Sequence, residues 1–399
     1  MKKYLFYGFV FYYLVLNYFN PGEVERFSLV YFLLTIPILV FIGLFFPFWT
    51  RKYNNVSILL ALLLAIVMVI SMARLDFRSA QTAFLLFTTL IILINAEVAF
   101  DIRIVNLLFM FSVLGSIVSF HMGINPYGYI PNFEAMLDVI SGDVGLRISL
   151  FPYIPESAFF SLFVIVSNYY FNPSRSRFFY YSLAGYFLIF SSSRTAVIIL
   201  LFFVLFELVV RFIQFRPRLL FTWLNVLFVF IFVLMMNFKS LHIYLSQIDN
   251  DIVKTLLLRD QVQTVTEDSD IDDVANRTWI WDQHFRIFSN SPLVGVGTYE
   301  FGDYIHDKSK VYHYTTGSES FLTAWLARVG LAMMLLVGSL ILVQHEAMVR
   351  NDRFRYFMCF GFFMVMISYG SFVVPYNFMF LLMAAALSRR PAEVAVKQG

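Results

Sequence analysis

The side chains best suited to chemistry are arginines in the polar stretches of the chain. Arg194, Arg277 and Arg286 are the strongest candidates, and Arg147 and Arg328 are second choices. A guanidinium group binds phosphate oxygens in pairs and keeps its charge at any working pH. Several arginines at one surface therefore predict a site for an anionic group such as a diphosphate.

Glu319 is the candidate for a general base, because it stands at the start of an apolar stretch, SFLTAWLARVG. A carboxylate beside an apolar wall can have a raised pKa, which suits proton abstraction. Arg328 lies about nine residues into the same span, roughly 13 Å along a helix, and an ionised group at that depth indicates a functional site. The alternative interpretations are a helix N-terminal acid for Glu319 and a structural ion pair or snorkelling for Arg328.

The other arginines also have structural interpretations. Arg194 can extend its charge to the membrane interface while its stem stays in the apolar layer. Arg277 and Arg286 can pair with the acidic residues of the surrounding polar stretch, and Arg147 can be an ordinary loop residue. The sequence leaves these alternatives open for each arginine taken alone.

The stretch RTWIWDQHFRIFSNSPLVGVG, residues 277–297, predicts a helix followed by a turn. Over 277–289 large apolar residues recur at helical spacing, and Asn290 and Pro292 end the pattern. The stripe consists of Trp281, Phe285 and Phe288. Arg277 and Arg286 fall on nearly opposite sides of such a helix, so they need a bend or two different partners.

Two glycines, Gly295 and Gly297, follow in the turn. Glycine permits a positive φ or a close approach of two backbones. An alternative is a phosphate nest built from the backbone N–H groups of this turn. Farther along the chain, the polar stretch before Glu319 holds Tyr299 and His313.

The elements that must position these residues are membrane helices. The 399 residues are 60% hydrophobic and 14% charged, with a mean hydropathy of +0.74, whereas a soluble protein is roughly 25% charged. The apolar residues fall in blocks long enough to cross a bilayer as helices. The composition excludes a soluble protein, predicts an all-α polytopic membrane protein, and gives no reason to expect a nucleic-acid partner.

We expect about 12 transmembrane spans, in three parts of the chain. Residues 1–236 hold spans one to nine, with an outer loop at 122–153. Residues 237–318 form a large loop, and residues 319–399 hold spans ten to twelve and a tail. The expected spans are 4–20, 27–49, 56–73, 80–96, 104–121, 154–171, 177–191, 195–213, 219–236, 319–343, 354–370 and 372–388.

Basic residues assign the loops to the two sides of the membrane. Most Lys and Arg residues of the short loops fall on the side of Met1, and the other side carries few: Arg26, Arg74, Arg78, Arg147 and Arg194. Because cytoplasmic loops are enriched in basic residues, the N-terminus is expected inside and the loops 122–153 and 237–318 outside. The candidate arginines then gather at the outer face, where the charge bias disfavours them.

Two metal-binding patterns are weaker. Residues 268–270, Asp-Ser-Asp, match the D-x-D pattern of sugar-nucleotide transferases, but they lie in an acidic run typical of a solvated loop. A second set lacks any standard ligand spacing: Asp303, His306, Asp307 and His313. We therefore expect neither a metal site nor a cofactor.

Taken in order, the motifs resemble the shared core of the O-antigen polymerase and O-antigen ligase superfamily. RTWIW…SPLVGVG…SESFLTAWLARVGL has an arginine, a nearby tryptophan, P-L-x-G-x-G, and then a span that opens on polar residues. SSSRTA and RISLFPYIPESAFF resemble the upstream arginine hairpin and the arginine-then-glutamate start of a span in that superfamily. Arg286 and Gly297 also match an R-x10-G spacing associated with the polymerases.

The resemblance implies a GT-C-like, metal-independent membrane glycosyltransferase that acts by inverting transfer on undecaprenyl-diphosphate-linked glycans. It implies a bacterial inner-membrane protein with its active site facing the periplasm. Expected partners are lipid-linked oligosaccharides, membrane lipids and a polysaccharide chain-length regulator. Glu319 is then the base, and the arginines bind the diphosphate or glycan: Arg147, Arg194, Arg277, Arg286 and Arg328. Tyr299, as a ring that can stack on a sugar, and His313 are also assigned to substrate binding.

Within the superfamily, polymerase is the first interpretation and ligase is the alternative. The ligase pattern has a His-Asn pair where this chain has Ser318-Glu319, and the nearest histidine is His313. This difference favours polymerase. A lipid-linked oligosaccharide flippase is the non-enzyme alternative. It would place charges along a path through the bundle and show an internal repeat, whereas the candidate charges gather at one face.

Overall fold

The fold is seen in a computed structural model that describes residues 2–18, 29–49, 54–96, 100–125, 128, 148–191, 193–213, 226, 276–298, 320–368 and 373–388. The elements among these residues are all helical, as the composition predicts. In chain order they are α1 (Lys2–Asn17), α2 (Leu29–Trp49), α3 (Asn55–Ala73), α4 (Phe77–Ala96), α5 (Ile102–His121), α6 (Ile154–Phe171), α7 (Ser176–Phe190), α8 (Arg194–Ile213), α9 (Asn276–Asn290), α10 (Phe321–Val329), a 3₁₀ turn (Gly330–Met333), α11 (Met334–Val349), α12 (Arg353–Ser368) and α13 (Phe378–Ser388).

Polar side chains fix where the apolar runs become helices. At the start of α3, the side chain of Asn54 accepts a hydrogen bond from Ser57 N (2.7 Å). At the start of α4, Asp76 accepts one from Ser79 N (3.1 Å). The first N–H groups of a helix have no partner within it, and such caps satisfy them. The α3–α4 hairpin is therefore bounded by its own polar residues.

The lengths and hydropathy of the helices identify a multi-pass membrane protein. Four described stretches are long and apolar enough to cross a membrane: Asn55–Ala73, Phe77–Ala96, Ile102–His121 and Phe321–Val349. Two shorter apolar helices among the described residues are Phe32–Phe45 and Phe378–Ser388. The total of twelve spans stays a prediction, and the ninth predicted span lies outside the described residues apart from Val226.

Most of the predicted spans coincide with described helices, but two differ. The tenth, expected as one helix over 319–343, is interrupted by the 3₁₀ turn between α10 and α11. The twelfth, expected over 372–388, begins as α13 several residues later. Its start is set by Asn377, whose side chain accepts a hydrogen bond from Met379 N (2.8 Å).

Two buried helices, α4 and α13, form the centre of the bundle. Helix α13 is buried along its whole length. Helix α4 is buried over 85–94 and packs against α13. Helix α3 pairs with α4 and α11, and α1 and α12 lie against α13. The end of the α3–α4 hairpin is thus carried by the best-packed part of the molecule.

The two ends of the bundle differ in their charges. Three ion pairs among the described residues lie at the end that carries the start of α1: Lys3–Asp101 (2.7 Å), Arg353–Glu207 (3.3 Å) and Arg355–Glu346 (3.1 Å). We call the opposite end the turn face. It carries residues 74–76, between α3 and α4, and the turn 291–298. Two candidate arginines, Arg286 and Arg328, belong to elements that meet there.

Candidate active site

Helix α9 confirms the helix predicted over 277–289. It packs against α10, and it ends at Asn290, two residues before Pro292. Its packed face is broader than the predicted stripe, because Trp281, His284 and Ile287 are buried while Phe285 and Phe288 are half-buried. Arg286 is exposed on this helix.

The contact between α9 and α10 includes a buried polar pair. His284 is 0% exposed, and its Nδ1 lies 2.8 Å from Thr323 Oγ1. Thr323 N donates to Ser320 Oγ (3.3 Å), the N-cap of α10. Burial, with a smaller contribution from the charge of Arg328, lowers the pKa of His284 to about 3. His284 is therefore a neutral group that joins α9 to the start of α10.

The sequence did not single out His284. A lone histidine within an amphipathic helix has no spacing partner that marks it, and its contact is to a residue on another helix. The sequence does place His284 three residues from both Trp281 and Ile287, and residues at that spacing lie on the same face of a helix. A polar residue on that face needs a partner.

We expect His284 to make the folded protein sensitive to acid. Its pKa is about 3 when folded and about 6.5 in an unfolded chain. Its contribution to stability is therefore complete above about pH 6.5 and is lost as the pH falls toward the folded value, by up to about 1.4 kcal/mol per pH unit. The melting temperature in detergent should fall between about pH 7 and about pH 5, and fall less in His284→Gln. Equal falls in both proteins would contradict a buried neutral histidine.

The turn 291–298 is joined to α10 through backbone hydrogen bonds. Val296 N donates to Ala327 O (2.9 Å), and Gly297 N donates to Arg328 O (3.0 Å). The last carbonyls of a helix have no donors within the helix itself. The turn supplies those donors and so caps the C-terminal end of α10.

Glycine at two positions allows this contact. Gly295 has a φ of +65°, and Gly330, where α10 ends, has a φ of +66°. A Cβ on Gly295 would lie 2.2 Å from the carbonyl carbon and oxygen of Arg328, and a Cβ on Gly330 would lie 2.6 Å from Gly295 N. Leu331 N also donates to Pro292 O (2.9 Å). The two backbones therefore meet where a side chain has no room.

The phosphate nest considered for this turn is wrong, because its N–H groups are already used. The four successive N–H groups of 295–298 donate within the protein, to Ser291 O, Ala327 O, Arg328 O and the carboxylate of Asp76. The positive φ values of Gly295 and Gly297 serve this packing. Any anion at the turn face is thus left to side chains.

Asp76 fixes the far end of the turn to the α3–α4 hairpin. Thr298 N donates to its Oδ2 (2.6 Å), and Thr298 Oγ1 donates to its Oδ1 (2.7 Å). Partial burial raises the pKa of Asp76, but the hydrogen bonds from Ser79 and Thr298 together outweigh it, so the pKa lies below its ordinary value. The carboxylate is ionised at neutral pH and holds residues that are far apart in the chain.

Arg328 lies in the last turn of α10, just before the break at Gly330. Helix α10 ends at Val329, and the carbonyl of Arg328 is bonded to the turn at the turn face. Its side chain is half-buried, and its guanidinium carbon lies 5.9 Å from the ring centre of Trp325. The break at Gly330 follows Arg328, so the helix is continuous from Phe321 to Arg328, and the depth of Arg328 in the membrane stays a prediction.

Several of the predicted site residues lie outside the described residues: Arg147, Tyr299, His313 and Glu319. The two weak metal patterns, at 268–270 and 303–313, also lie outside them. Arg194 begins α8, and Arg277 is in the first turn of α9.

The structure does describe the chain neighbours of Arg147 and Glu319. Ile148, next to Arg147, donates its N–H to Phe190 O (3.2 Å) at the end of α7, shortly before Arg194. Ser320, next to Glu319, is buried at the start of α10. The site formed by Arg147 and Glu319 stays a prediction.

A comparison with known proteins identifies the part of the chain that holds most of these features. Residues 179–338 match the family model described as O-antigen ligase. The matched region begins in α7, includes α8, α9, the turn 291–298 and α10, and ends in the first turn of α11. No curated protein and no solved structure matches the chain significantly.

Proposed function

We propose, from the premise that residues 179–338 belong to the O-antigen polymerase and ligase superfamily, that this protein polymerises a bacterial surface polysaccharide. Its substrates would be undecaprenyl-diphosphate-linked repeat units, joined by inverting glycosyl transfer at the periplasmic face of the inner membrane. In this proposal the bundle has about twelve spans and is GT-C-like. A chain-length regulator is the protein partner that such a product would need.

The observation that carries the proposal is the docking of the turn 291–298 onto the broken span at Gly330. The family match covers both partners of this contact. Residues assigned to chemistry flank it on each side: Arg286 is exposed on α9, and Arg328 provides a carbonyl that the turn caps. Glu319 directly precedes the cap of α10. The arrangement supports a site built around the docked turn, with Arg286 and Arg328 on the helices beside it.

The proposed mechanism follows from where charge develops. The diphosphate is the leaving group, so its negative charge grows in the transition state. Arginines placed beforehand stabilise that charge without reorganisation at the moment of reaction. We assign this role to Arg194, Arg277 and Arg286, with Arg147 and Arg328 as second choices.

Proton transfer completes the reaction. The Glu319 carboxylate takes the proton of the acceptor hydroxyl as its oxygen attacks the anomeric carbon. The carbon–oxygen bond to the diphosphate breaks in the same step, which inverts the configuration. Tyr299 and His313 would contact the sugars. The charge stabilisation comes from guanidinium groups, so transfer is expected to proceed in the presence of EDTA.

Two alternatives remain for the same chain. An O-antigen ligase would use lipid A-core as the acceptor, and the Ser318-Glu319 sequence in place of His-Asn argues against it. A flippase would need charges along a path through the bundle. The three described ion pairs instead join neighbouring helices at the end opposite the turn face, as in the Arg353–Glu207 pair.

The test is reconstitution of the purified protein with lipid-linked repeat units from its host, in EDTA. Wild type is expected to give a ladder of polymer lengths. Arg277→Ala should reduce the rate by roughly ten- to a hundredfold, the loss expected for a hydrogen bond to a charged group. Arg103→Ala removes an exposed arginine from the opposite end of the bundle and should leave the ladder unchanged.

The outcomes separate the candidate functions. Transfer onto lipid A-core without a ladder would identify a ligase. If wild type forms no glycosidic bond with either acceptor, the enzyme proposal fails, and transport of lipid-linked oligosaccharide in sealed vesicles becomes the measurement. Loss of activity in both arginine variants would show that the effect is not specific to the turn face.

A further inference from the structure

Residues 74–76 form a tight connection between α3 and α4 that lies against the turn 291–298. Asp76 N donates to Ser71 O (2.8 Å), which closes the connection. Leu75 has a φ of +57°, a conformation that a residue with a side chain adopts when its surroundings hold it there. The connection therefore presents its side chains to the turn in a defined geometry.

The negative charge of this connection is the carboxylate of Asp76, and both of its oxygens accept hydrogen bonds from groups within the protein. Oδ2 of Asp76 accepts from Thr298 N, and Oδ1 accepts from both Thr298 Oγ1 (2.7 Å) and Ser79 N (3.1 Å). In the part of the chain that the structure describes, no ion pair joins Asp76 to Arg74. The positive charge of Arg74 thus remains available at the turn face.

Arg74 lies directly beside the turn. It is exposed, and a Cβ on Gly297 would be 3.7 Å from both its Cδ and its Nη1. The Gly297 N–H caps α10 through the carbonyl of Arg328 (3.0 Å). Three elements that carry arginines therefore meet at this turn: the α3–α4 connection with Arg74, α9 with Arg286 and α10 with Arg328.

We propose that Arg74 is a further anion-binding residue of the site, and that Asp76 is the positioning residue that holds the turn 291–298 beside it. The inference rests on the proposed function, since the anion would be the diphosphate of the lipid-linked donor. An exposed guanidinium that pairs with no acid among the described residues can bind two phosphate oxygens at once. The site would then include the α3–α4 hairpin, which lies outside the region that matches the family model.

Arg78 provides a matched control for Arg74. It is the second residue of α4, is also exposed, and carries the same charge at the same end of the bundle. The three atoms nearest a Cβ on Gly297 belong to Asp76 and Arg74. A general effect of surface charge would appear equally in both arginine variants, whereas a binding role would appear in Arg74 alone.

The first measurement is binding of undecaprenyl diphosphate to the full-length protein in detergent, with undecaprenol as the uncharged probe. Arg74→Ala is expected to weaken diphosphate binding roughly ten- to a hundredfold and to leave undecaprenol unchanged. Arg74→Lys should recover part of the loss, because lysine keeps the charge but not the paired contact. Inorganic diphosphate should compete if the headgroup alone is recognised.

The role of Asp76 is tested by a double-mutant cycle on the same binding signal. Asp76→Asn alone should weaken binding about tenfold, because an amide cannot accept from both Thr298 groups. Combined with Arg74→Ala it should add little further loss, since the two residues act as one unit. Additive losses would show that Asp76 acts independently of Arg74, which contradicts the positioning role. Melting temperatures measured alongside identify a variant that fails to fold.

Two results overturn the inference. One is equal diphosphate binding by Arg74→Ala, Arg78→Ala and wild type. The other is an equal loss for undecaprenol, which would assign Arg74 to packing. Polymer formation is scored separately. If wild type makes no polymer but Arg74→Ala still loses diphosphate binding, the proposed function fails and the anion site stands.

Discussion

Replacement of Gly295 by alanine is expected to destabilise the protein by about 2–5 kcal/mol and to abolish its activity. The added Cβ would fall 2.2 Å from the carbonyl group of Arg328, which is backbone and cannot rotate away. The left-handed backbone conformation also costs a residue with a Cβ roughly 1–2 kcal/mol of folding free energy. The turn would have to leave α10, and the helix would lose its C-terminal cap.

The measurement is the melting temperature in detergent together with polymer formation. Gly338→Ala is the control, because its Cβ would meet only Leu59 Cδ1 at 3.9 Å, an ordinary contact, in the neighbouring helix α11. That variant should be as stable as wild type or slightly more so. A Gly295→Ala protein that melts and reacts like Gly338→Ala would show that the turn does not rest on the broken span.

The second large effect is expected at Glu319. Glu319→Gln should lower the rate of glycosyl transfer by roughly a hundredfold to ten-thousandfold, the usual contribution of a general base. Binding of the lipid-linked donor should change little, because the carboxylate acts on the acceptor hydroxyl. The rate under single-turnover conditions, with donor binding measured beside it, separates the two effects.

Glu300→Gln is the matched control for this prediction. It makes the same change of a carboxylate to an amide in the stretch between the turn 291–298 and α10. It is expected to react at nearly the wild-type rate. Full activity of Glu319→Gln would show that this carboxylate is not the general base. His313 and the neutral His284 would then be the candidates for that role.

The parts of this fold that depend on local pattern were predictable from the sequence. Helix α9 was expected because its apolar residues recur at helical spacing and Asn290 and Pro292 end the pattern. Most helices were expected because blocks of apolar residues alternate with short polar links. These features depend on residues within one or two turns of each other, so one stretch of sequence contains all the information.

The parts that depend on distant contacts were not predictable. Nothing in LARVGLAM marks a break, because glycine is common within membrane helices, and Gly330 breaks α10 only with the turn against it. The Asp76–Thr298 contact joins residues 222 positions apart, and hydrogen-bonding residues at such a distance leave no spacing signal. The sequence therefore identifies the arginines of the candidate site, but it does not show which elements lie next to each other there.

Both ends of the stretch 299–319 are anchored on the same scaffold, Thr298 by Asp76 and Ser320 by its buried position at the start of α10. The entropy of joining two fixed points by a chain segment depends weakly on the length of the segment, by about 0.6 kcal/mol for each doubling. We therefore expect changes in length between these anchors, upstream of Glu319, to leave the backbone at Thr298 and Ser320 in place. Under the proposed function, adaptation to a new repeat unit is then expected between the anchors rather than in them.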